Sequence, residues 1–156
     1  MIKIKIFNPL AGKNRISFTG FLILQTALKD YSIEITESDD FDYAFLGADD
    51  ILDKSIGLEE SIEVGLRNID KYARGGDCFI FDASDSTSLM GSYEVLEQSN
   101  AMFLFKNQLL RNREDYKKKT SFNKWFFGNG SDLDLGYDIP KENWDRIKLS
   151  LSLIHI

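Results

Sequence analysis

Three short apolar runs constrain the fold of this chain more than any other feature of its sequence. They are "YAFLG" at 43–47, "CFIF" at 78–81 and "AMFLF" at 101–105. A strand with one face in water alternates apolar and polar residues, whereas a strand covered by helices on both faces is apolar throughout. The runs therefore predict a parallel sheet that is buried between two layers of helices.

The segments between these runs have the pattern of helices and of further strands. Residues 16–29, 58–73 and 93–98 have apolar residues at helical spacing, and residues 2–7 and 32–37 alternate as strands do. Strands that alternate with helices predict a Rossmann-like three-layer α/β domain with a mostly parallel sheet. The first strand, "IKIKIF", fits less well, because its lysines suit an edge strand or positions near the ends of the sheet.

One further helix is predicted from Asn107, as its N-cap, to Lys118. Downstream of it, the aromatic cluster "FNKWFF" at 122–127 favours a core or a seam between domains rather than stacking on bases.

Composition excludes several classes of protein. The chain has 156 residues, enough for one domain, and a net charge of −6, which argues against broad binding to nucleic acid or anionic membranes. No secretory leader and no apolar run of transmembrane length is present, so we expect a cytoplasmic protein. The single cysteine, Cys78, lies in an apolar run and is expected to be a buried hydrophobic residue.

Polar groups follow each predicted strand, and in an open parallel sheet ligands bind outside the carboxyl ends of the strands. The groups that would meet at this edge are residues 8–13, with Asn8 and Gly12, after the first strand, Asp49 and Asp50 after "YAFLG", Asp82, Ser84, Asp85, Ser86 and Thr87 after "CFIF", and Lys106 after "AMFLF".

The stretch "FDASDSTS" is the strongest candidate for chemistry. Asp82 and Asp85 are candidate catalytic bases toward an acceptor hydroxyl, with Ser84, Ser86 and Lys106 as candidate substrate-binding residues. The alternative is structural. The two aspartates would cap a turn and the helix after it, and the lysine would be a solvated strand end.

The other motifs give weaker evidence for a functional site. "NPLAGKN" contributes Asn8 and Gly12 as candidate substrate-binding residues of a cleft, but it lacks the glycines of a phosphate-binding loop. "DLD" at 132–134 matches a short metal-binding pattern, and an exposed turn is the favoured interpretation. No cluster of histidines and cysteines is present, so we expect no metal site and no resident cofactor.

The segment "FDASDSTSLMGSYEVLEQSNAMFLFKNQLLRNREDYKK" resembles glycosyltransferase-like proteins of bacteria and phages that have two Rossmann-like domains, the GT-B type, distantly exostosin-like. The matching positions are Asp82, Asp85, Phe105 and Lys106, and the resemblance spans roughly residues 40–150. The glycine pair common after the first strand of such enzymes is missing from residues 8–12.

This resemblance implies the N-terminal, acceptor-side domain of a glycosyltransferase. Such an enzyme moves a sugar from a nucleotide-sugar co-substrate to a hydroxyl of a glycan or other acceptor, without an obligatory metal. Asp82 or Asp85 would contact the acceptor or act as base. The nucleotide-sugar site would lie mostly in a second domain of the same chain, so this fragment alone would be inactive.

The last six residues, "LSLIHI" at 151–156, contain the only histidine, His155. They match the translation of a widely used transposase sequencing adaptor, so we expect the native sequence of the fragment to stop near Ser150. The expected organisation is a Rossmann-like domain at 1–120 and an irregular segment at 121–150 that leads to the second domain. Any base would then be a carboxylate.

Two alternatives come from other classes of protein. A receiver-type signalling module would use Asp82 as phosphate acceptor and Lys106 as its partner, but no acidic residue follows the first strand directly. A structural or interaction domain, for example of a phage, would have the same fold and no chemistry.

Overall fold

Six parallel strands form one sheet in the computed structural model, which describes residues 1–12, 14–74, 76–84, 88–118 and 136–150. The strands are β1 (Ile2–Ile6), β2 (Ile33–Ile35), β3 (Tyr43–Gly47), β4 (Asp77–Asp82), β5 (Phe103–Lys106) and β6 (Ile147–Leu149). Their order across the sheet is β2-β1-β3-β4-β5-β6. The predicted α/β fold with a parallel sheet is confirmed.

Helices connect the strands. They are α1 (Asn14–Ile23), α2 (Gln25–Asp30), α3 (Ala48–Ile51), α4 (Leu58–Ala73), α5 (Ser92–Gln98), a 3-10 helix (Arg113–Lys117) and α6 (Lys141–Trp144). The long helix α4 has the predicted bounds. Its ends suit the helix dipole, because Glu59 and Glu60 lie in the first turn and Lys71 in the last.

The two faces of the sheet carry two separate cores. On one face, Ala44, Cys78 and Leu104 pack in a large core with α3, α4 and α5. On the other face, Phe45 and Phe81 pack in a smaller core with α1. Successive residues of a strand point to opposite faces, so the unbroken apolar runs supply both cores. Cys78 is buried, as predicted, and burial raises the pKa of its thiol to about 11.

Of the two alternatives for β1, an edge strand or lysines near the ends of the sheet, the edge position is wrong. β1 pairs with both β2 and β3, and β2 is the edge strand. The lysines of β1 are accommodated by the acidic loop before β3. The Lys5 ammonium lies 2.7 Å from the Asp39 carboxylate, and Lys3 pairs with Asp40.

The predicted helix from Asn107 to Lys118 is also wrong. Only the 3-10 helix forms there, with Asn112 as its N-cap. Tertiary hydrogen bonds replace helical ones, since the Leu110 N–H donates to the Tyr116 hydroxyl (3.0 Å) and the Asn107 N–H donates to the Asp82 carbonyl (3.2 Å).

Two predicted boundaries differ from those observed. The helix expected at 16–29 is interrupted at Leu24, whose φ of −88° and ψ of 3° lie outside the helical region. The sheet extends past the expected domain boundary at residue 120, because β6 pairs in parallel with β5. Residues 136–150 therefore belong to this domain, whereas the "FNKWFF" and "DLD" motifs and the "LSLIHI" tail lie outside the described residues.

The strand order identifies a switch point in the sheet. The chain moves from β1 to β2 in one direction and then returns past β1 to β3, β4, β5 and β6 in the other. Doubly wound sheets bind ligands at the carboxyl edge where the direction reverses. In this domain that place lies between the ends of β1 and β3.

Candidate functional site

Asp82 and Lys106 end adjacent strands at the same edge of the sheet. They are register partners in the β4–β5 ladder, which confirms the predicted placement of both residues at one edge of the sheet. The Lys106 side chain has no exposed surface, and its ammonium lies 3.1 Å from the Asp82 carboxylate. Lys106 is therefore a buried ion-pair partner and not the solvated strand end considered from the sequence.

The Asp82 carboxylate is the centre of a buried hydrogen-bond network. The Ser84 N–H donates to Oδ1 (3.0 Å), and the Ser92 hydroxyl donates to Oδ2 (2.7 Å). Lys106 also donates to the Ser84 hydroxyl oxygen (2.6 Å). These contacts tie the end of β4, the turn after it, the start of α5 and the end of β5 to one carboxylate.

The network determines the protonation state of Asp82. Burial by itself raises the pKa of this carboxyl, but the Lys106 ammonium and the hydrogen bonds from Ser84 and Ser92 outweigh it, and the pKa falls to about 2. A general base works best with a pKa near the working pH. The contacts of Asp82 therefore favour a structural role over that of a base.

We expect this pair to make the domain sensitive to acid. The folded-state pKa of Asp82 lies below the ordinary value of 3.8, so its contribution to stability is present above about pH 4 and is lost as the pH falls toward 2. The loss corresponds to roughly 2 to 3 kcal/mol. Urea unfolding at pH 6 and at pH 2.5 measures it. A double variant in which Asp82→Asn and Lys106→Met remove both charges should show a smaller difference between the two pH values.

A second polar cluster lies at the switch point between β1 and β3. Asp50, on α3, accepts hydrogen bonds from two amides, that of Asn8 on Oδ1 (2.9 Å) and that of Asn14 on Oδ2 (2.5 Å). The Asn14 amide also donates to the Asn8 carbonyl (3.2 Å). We name Asn8, Asn14 and Asp50 the switch-point cluster.

The loop between β1 and α1 has the residue types that its backbone requires. Asn8 has a φ of 45° and Gly12 a φ of 47°, and asparagine and glycine tolerate the left-handed region best. This conformation turns the Asn8 carbonyl toward the Ala11 N–H (3.0 Å) and toward the Asn14 side chain. The Asn8 amide is thereby held over Asp50 while its residue remains exposed.

An open pocket of about 520 Å³ adjoins the switch-point cluster. Its polar lining consists of Asp49, Asp50, Asp53, Lys54 and Asn68. The Asn68 amide donates to the Ile51 carbonyl (3.1 Å), which fastens the short helix α3 to α4. Asp50 thus belongs both to the switch-point cluster and to the lining of the pocket, and its helix α3 is held against α4.

The structure divides the predicted site residues among three places. Asp82, Ser84 and Lys106 meet in the buried network, and Asn8 belongs to the switch-point cluster. Gly12 is exposed in the loop before α1. Asp85 and Ser86 lie outside the described residues.

Two residues of these clusters were missed from the sequence. Asn14 is buried at the start of α1, and Ser92 is buried at the start of α5. Asparagine and serine are common at the starts of helices, so neither residue stands out in the sequence. Only the contact with a distant partner in the structure identifies each of them as part of a cluster. Asp50 was recognised as a strand-end residue, but nothing in the sequence links it to the two asparagines.

Within the described residues, no three histidine, cysteine, aspartate or glutamate side chains are grouped closely enough to hold a metal ion. The helices in the described ranges are too short or too polar to cross a membrane.

Comparison with family models, with curated proteins and with solved structures gave no match to this chain.

Proposed function

We propose that this domain binds the hydroxyl groups of a glycan or similar acceptor at the carboxyl edge of its sheet, as the acceptor-side half of a glycosyltransferase. The observation that supports this most is the switch-point cluster, in which Asp50 is held by Asn8 and Asn14 beside an open pocket. The site lies where doubly wound sheets bind their ligands.

The chemistry of the cluster suits neutral hydroxyl groups. An amide both donates and accepts hydrogen bonds and a carboxylate accepts them, so Asn8 and Asp50 can hold adjacent hydroxyls of a sugar. A phosphate group suits this place poorly, because three carboxylates, those of Asp49, Asp50 and Asp53, line the pocket, and among the described lining residues only Lys54 opposes them. A nucleotide-sugar donor would then bind elsewhere, as the resemblance implies.

Asp50 is a better candidate than Asp82 for a base in this reaction. Its residue is partly exposed and adjoins the pocket, whereas Asp82 is only 6% exposed and is engaged by Ser84, Ser92 and Lys106. In transfer to an acceptor, the hydroxyl would give its proton to Asp50 as its oxygen bonds to the anomeric carbon of the donor sugar, while the bond from that carbon to the diphosphate oxygen breaks and the nucleoside diphosphate leaves with that electron pair. Asp82 would join the end of β4 to Ser92 at the start of α5.

A receiver-type signalling module is the second candidate. Its support is the strand order β2-β1-β3-β4-β5, which flavodoxin-like folds share, together with Lys106 at the end of β5. A phosphate acceptor must be reached by its phosphodonor, however, and the Asp82 carboxylate is buried and hydrogen-bonded.

Titration of the ¹⁵N-labelled chain with ligands tests these proposals. Neutral mono- and disaccharides should shift the side-chain amide signals of Asn8 and Asn14, and Asp50→Asn should weaken that binding by about tenfold, or roughly 1.4 kcal/mol. Asp70→Asn, on the exposed face of α4, is the matched control and should bind as the parent chain does.

Three outcomes would contradict the proposal. They are the absence of any saccharide response at Asn8 and Asn14, tighter binding of a nucleoside diphosphate at the same residues, and equal affinities for the Asp50→Asn variant and the parent chain. Beryllofluoride, which mimics a phosphoryl group on aspartate, should leave the spectrum unchanged. A response around Asp82 would favour the receiver.

A further inference from the structure

The connection from β2 to β3 is short for a parallel sheet. These two strands lie on either side of β1, so the chain crosses over β1 between them. Such a crossover normally takes a dozen or more residues and contains a helix. Here only residues 36–42, "TESDDFD", make the connection, and they contain no helix. We name this segment the acidic strap.

The acidic strap covers β1 on the face of the sheet that carries the larger core. Phe41 of the strap and Phe7, directly after β1, both pack against that core, and their rings meet edge to face at 6.1 Å. Lys3 and Lys5 share this face with Phe7, because residues two apart in a strand point the same way. The two lysines therefore face the carboxylates of the strap.

Ion pairs attach the strap to β1 and to α4. The Asp39 carboxylate lies 2.7 Å from the Lys5 ammonium and 3.1 Å from the guanidinium of Arg74, at the end of α4. Asp40 pairs with Lys3. Both carboxylates are more than half exposed, so these pairs are in contact with solvent and weaken as salt is added.

Apolar contacts contribute less to this attachment. Phe41 is half-buried, whereas residues 37–40 and 42 are exposed. The Lys5 ammonium also lies over the rings of Phe7 (5.2 Å) and Phe41 (5.9 Å), so the pair of Lys5 with Asp39 helps to hold Phe41 in place. A segment with little buried apolar surface and mostly exposed contacts opens at low cost while the rest of a domain stays folded.

The strap reaches the switch-point cluster through Phe7. The Phe7 ring contacts Phe41 of the strap and Tyr72 of α4, with 4.9 Å between the Phe7 and Tyr72 ring centroids. Phe7 directly precedes Asn8, whose amide is held on Asp50 (2.9 Å). If the strap leaves, Phe7 loses the Phe41 ring, and the chain at Asn8 gains freedom to move. The position of the Asn8 amide therefore depends on the strap.

We propose that the acidic strap controls the switch-point cluster through its ion pairs. While the pairs hold, the strap fixes Phe7 and keeps the Asn8 amide on Asp50. When salt screens the charges, or when they are removed, the strap opens and the Asn8 amide loosens, although the sheet stays folded. The opening and its effect on Asn8 are independent of the proposed function, whereas the consequence for saccharide binding rests on it.

Spectra of ¹⁹F and ¹⁵N recorded without ligand test the inference. The chain would carry 4-fluorophenylalanine at position 41 and ¹⁵N throughout. Asp39→Asn removes the partner of both Lys5 and Arg74, so the ratio of open to closed strap should rise about five- to tenfold. In 1 M NaCl, where the Debye length is about 3 Å, the ratio in the parent chain should rise similarly. The side-chain amide signal of Asn8 should move in parallel.

Glu63→Gln is the matched control, because it removes a carboxylate from an exposed pair with Arg67 on α4 (3.7 Å). It should leave the ¹⁹F signal and the Asn8 amide signal as they are in the parent chain. The backbone amide signal of Leu104, which is fully buried in the larger core, shows whether each variant is folded.

Three results would overturn the inference. The first is a ¹⁹F signal at position 41 that either Asp39→Asn or 1 M NaCl leaves unmoved. The second is a ¹⁹F signal that moves while the Asn8 amide signal stays in place. The third is an equal effect of Glu63→Gln and Asp39→Asn on both signals.

Saccharide titration of the same variants separates this inference from the proposed function. Asp39→Asn should bind a neutral disaccharide about two- to fivefold more weakly than Glu63→Gln, because the competent form of the site is less populated. Equal binding by the two variants would contradict control of the site by the strap. If the parent chain binds no saccharide, the proposed function fails, and the spectra without ligand still decide the effect of the strap on Asn8.

Discussion

Replacing Lys106 with methionine should lower the free energy of unfolding by about 3 to 5 kcal/mol. The substitution leaves the Asp82 carboxylate buried, charged and without its cation, since the two groups lie 3.1 Å apart and Lys106 has no exposed surface. A domain of this size is stable by only about 5 to 15 kcal/mol. Urea unfolding at pH 7 measures the loss. The midpoint should fall, while the slope of the free energy of unfolding against urea concentration stays unchanged.

Two further variants separate the ion pair from simple loss of packing. Adding Asp82→Asn to Lys106→Met removes the stranded charge, while the amide oxygen can accept from the Ser84 N–H and the amide NH2 can donate to the Ser92 hydroxyl oxygen, so most of the stability should return. Lys3→Met removes a lysine from an exposed pair with Asp40 and should have a much smaller effect. Equal effects of Lys106→Met and Lys3→Met would show that Lys106 is solvated.

Replacing Gly47 with alanine should disrupt the switch-point cluster. A Cβ atom at this position would lie 1.7 Å from Oδ1 of Asn14, so the Asn14 side chain would have to leave its place. The backbone does not oppose alanine, because φ is −74° and ψ is 142°. The cost therefore comes from overpacking and from lost hydrogen bonds to Asp50, about 1 to 3 kcal/mol.

The effect of the Gly47 substitution should depend on Asn14. In a chain that already carries Asn14→Ala, the space is open, and Gly47→Ala should be neutral or slightly stabilising because alanine restricts the unfolded chain. Thermal or urea unfolding of the four chains of this double-mutant cycle measures the coupling. Additive effects would contradict a direct contact between Asn14 and the end of β3.

The sheet could be predicted from the sequence because burial on both faces leaves a local signal. The side chains of 43–46 and of 78–81 each belong to one of the two cores, and this apolar pattern can be recognised without knowing which strands pair. The helix from Asn107 was predicted wrongly because other hydrogen-bond partners replace the helical ones there. The Asn107 N–H donates to the carbonyl of Asp82, which is distant in the sequence, and the Leu110 N–H donates to the Tyr116 side chain.

The candidate site could be predicted only in part. Strand ends of a parallel sheet share an edge, so the placement of Asp82 with Lys106 followed from the predicted fold. The burial of Lys106 did not follow, because it depends on how the chain after β4 closes over the strand end. Asn14 and Asp50 are separated by 36 residues, and their contact has no signature in either segment.

Titration of the Asp82 carboxyl group distinguishes a structural role for this residue from the role of a general base. The carboxyl ¹³C signal of Asp82, assigned by comparison with Asp82→Asn, can be followed from pH 7 to pH 1.5. Held by Lys106, Ser84 and Ser92, the group should stay ionised down to a pKa of about 2, or until acid unfolds the domain. A midpoint above about pH 5, where a general base of this class would titrate, would contradict the structural role assigned to Asp82.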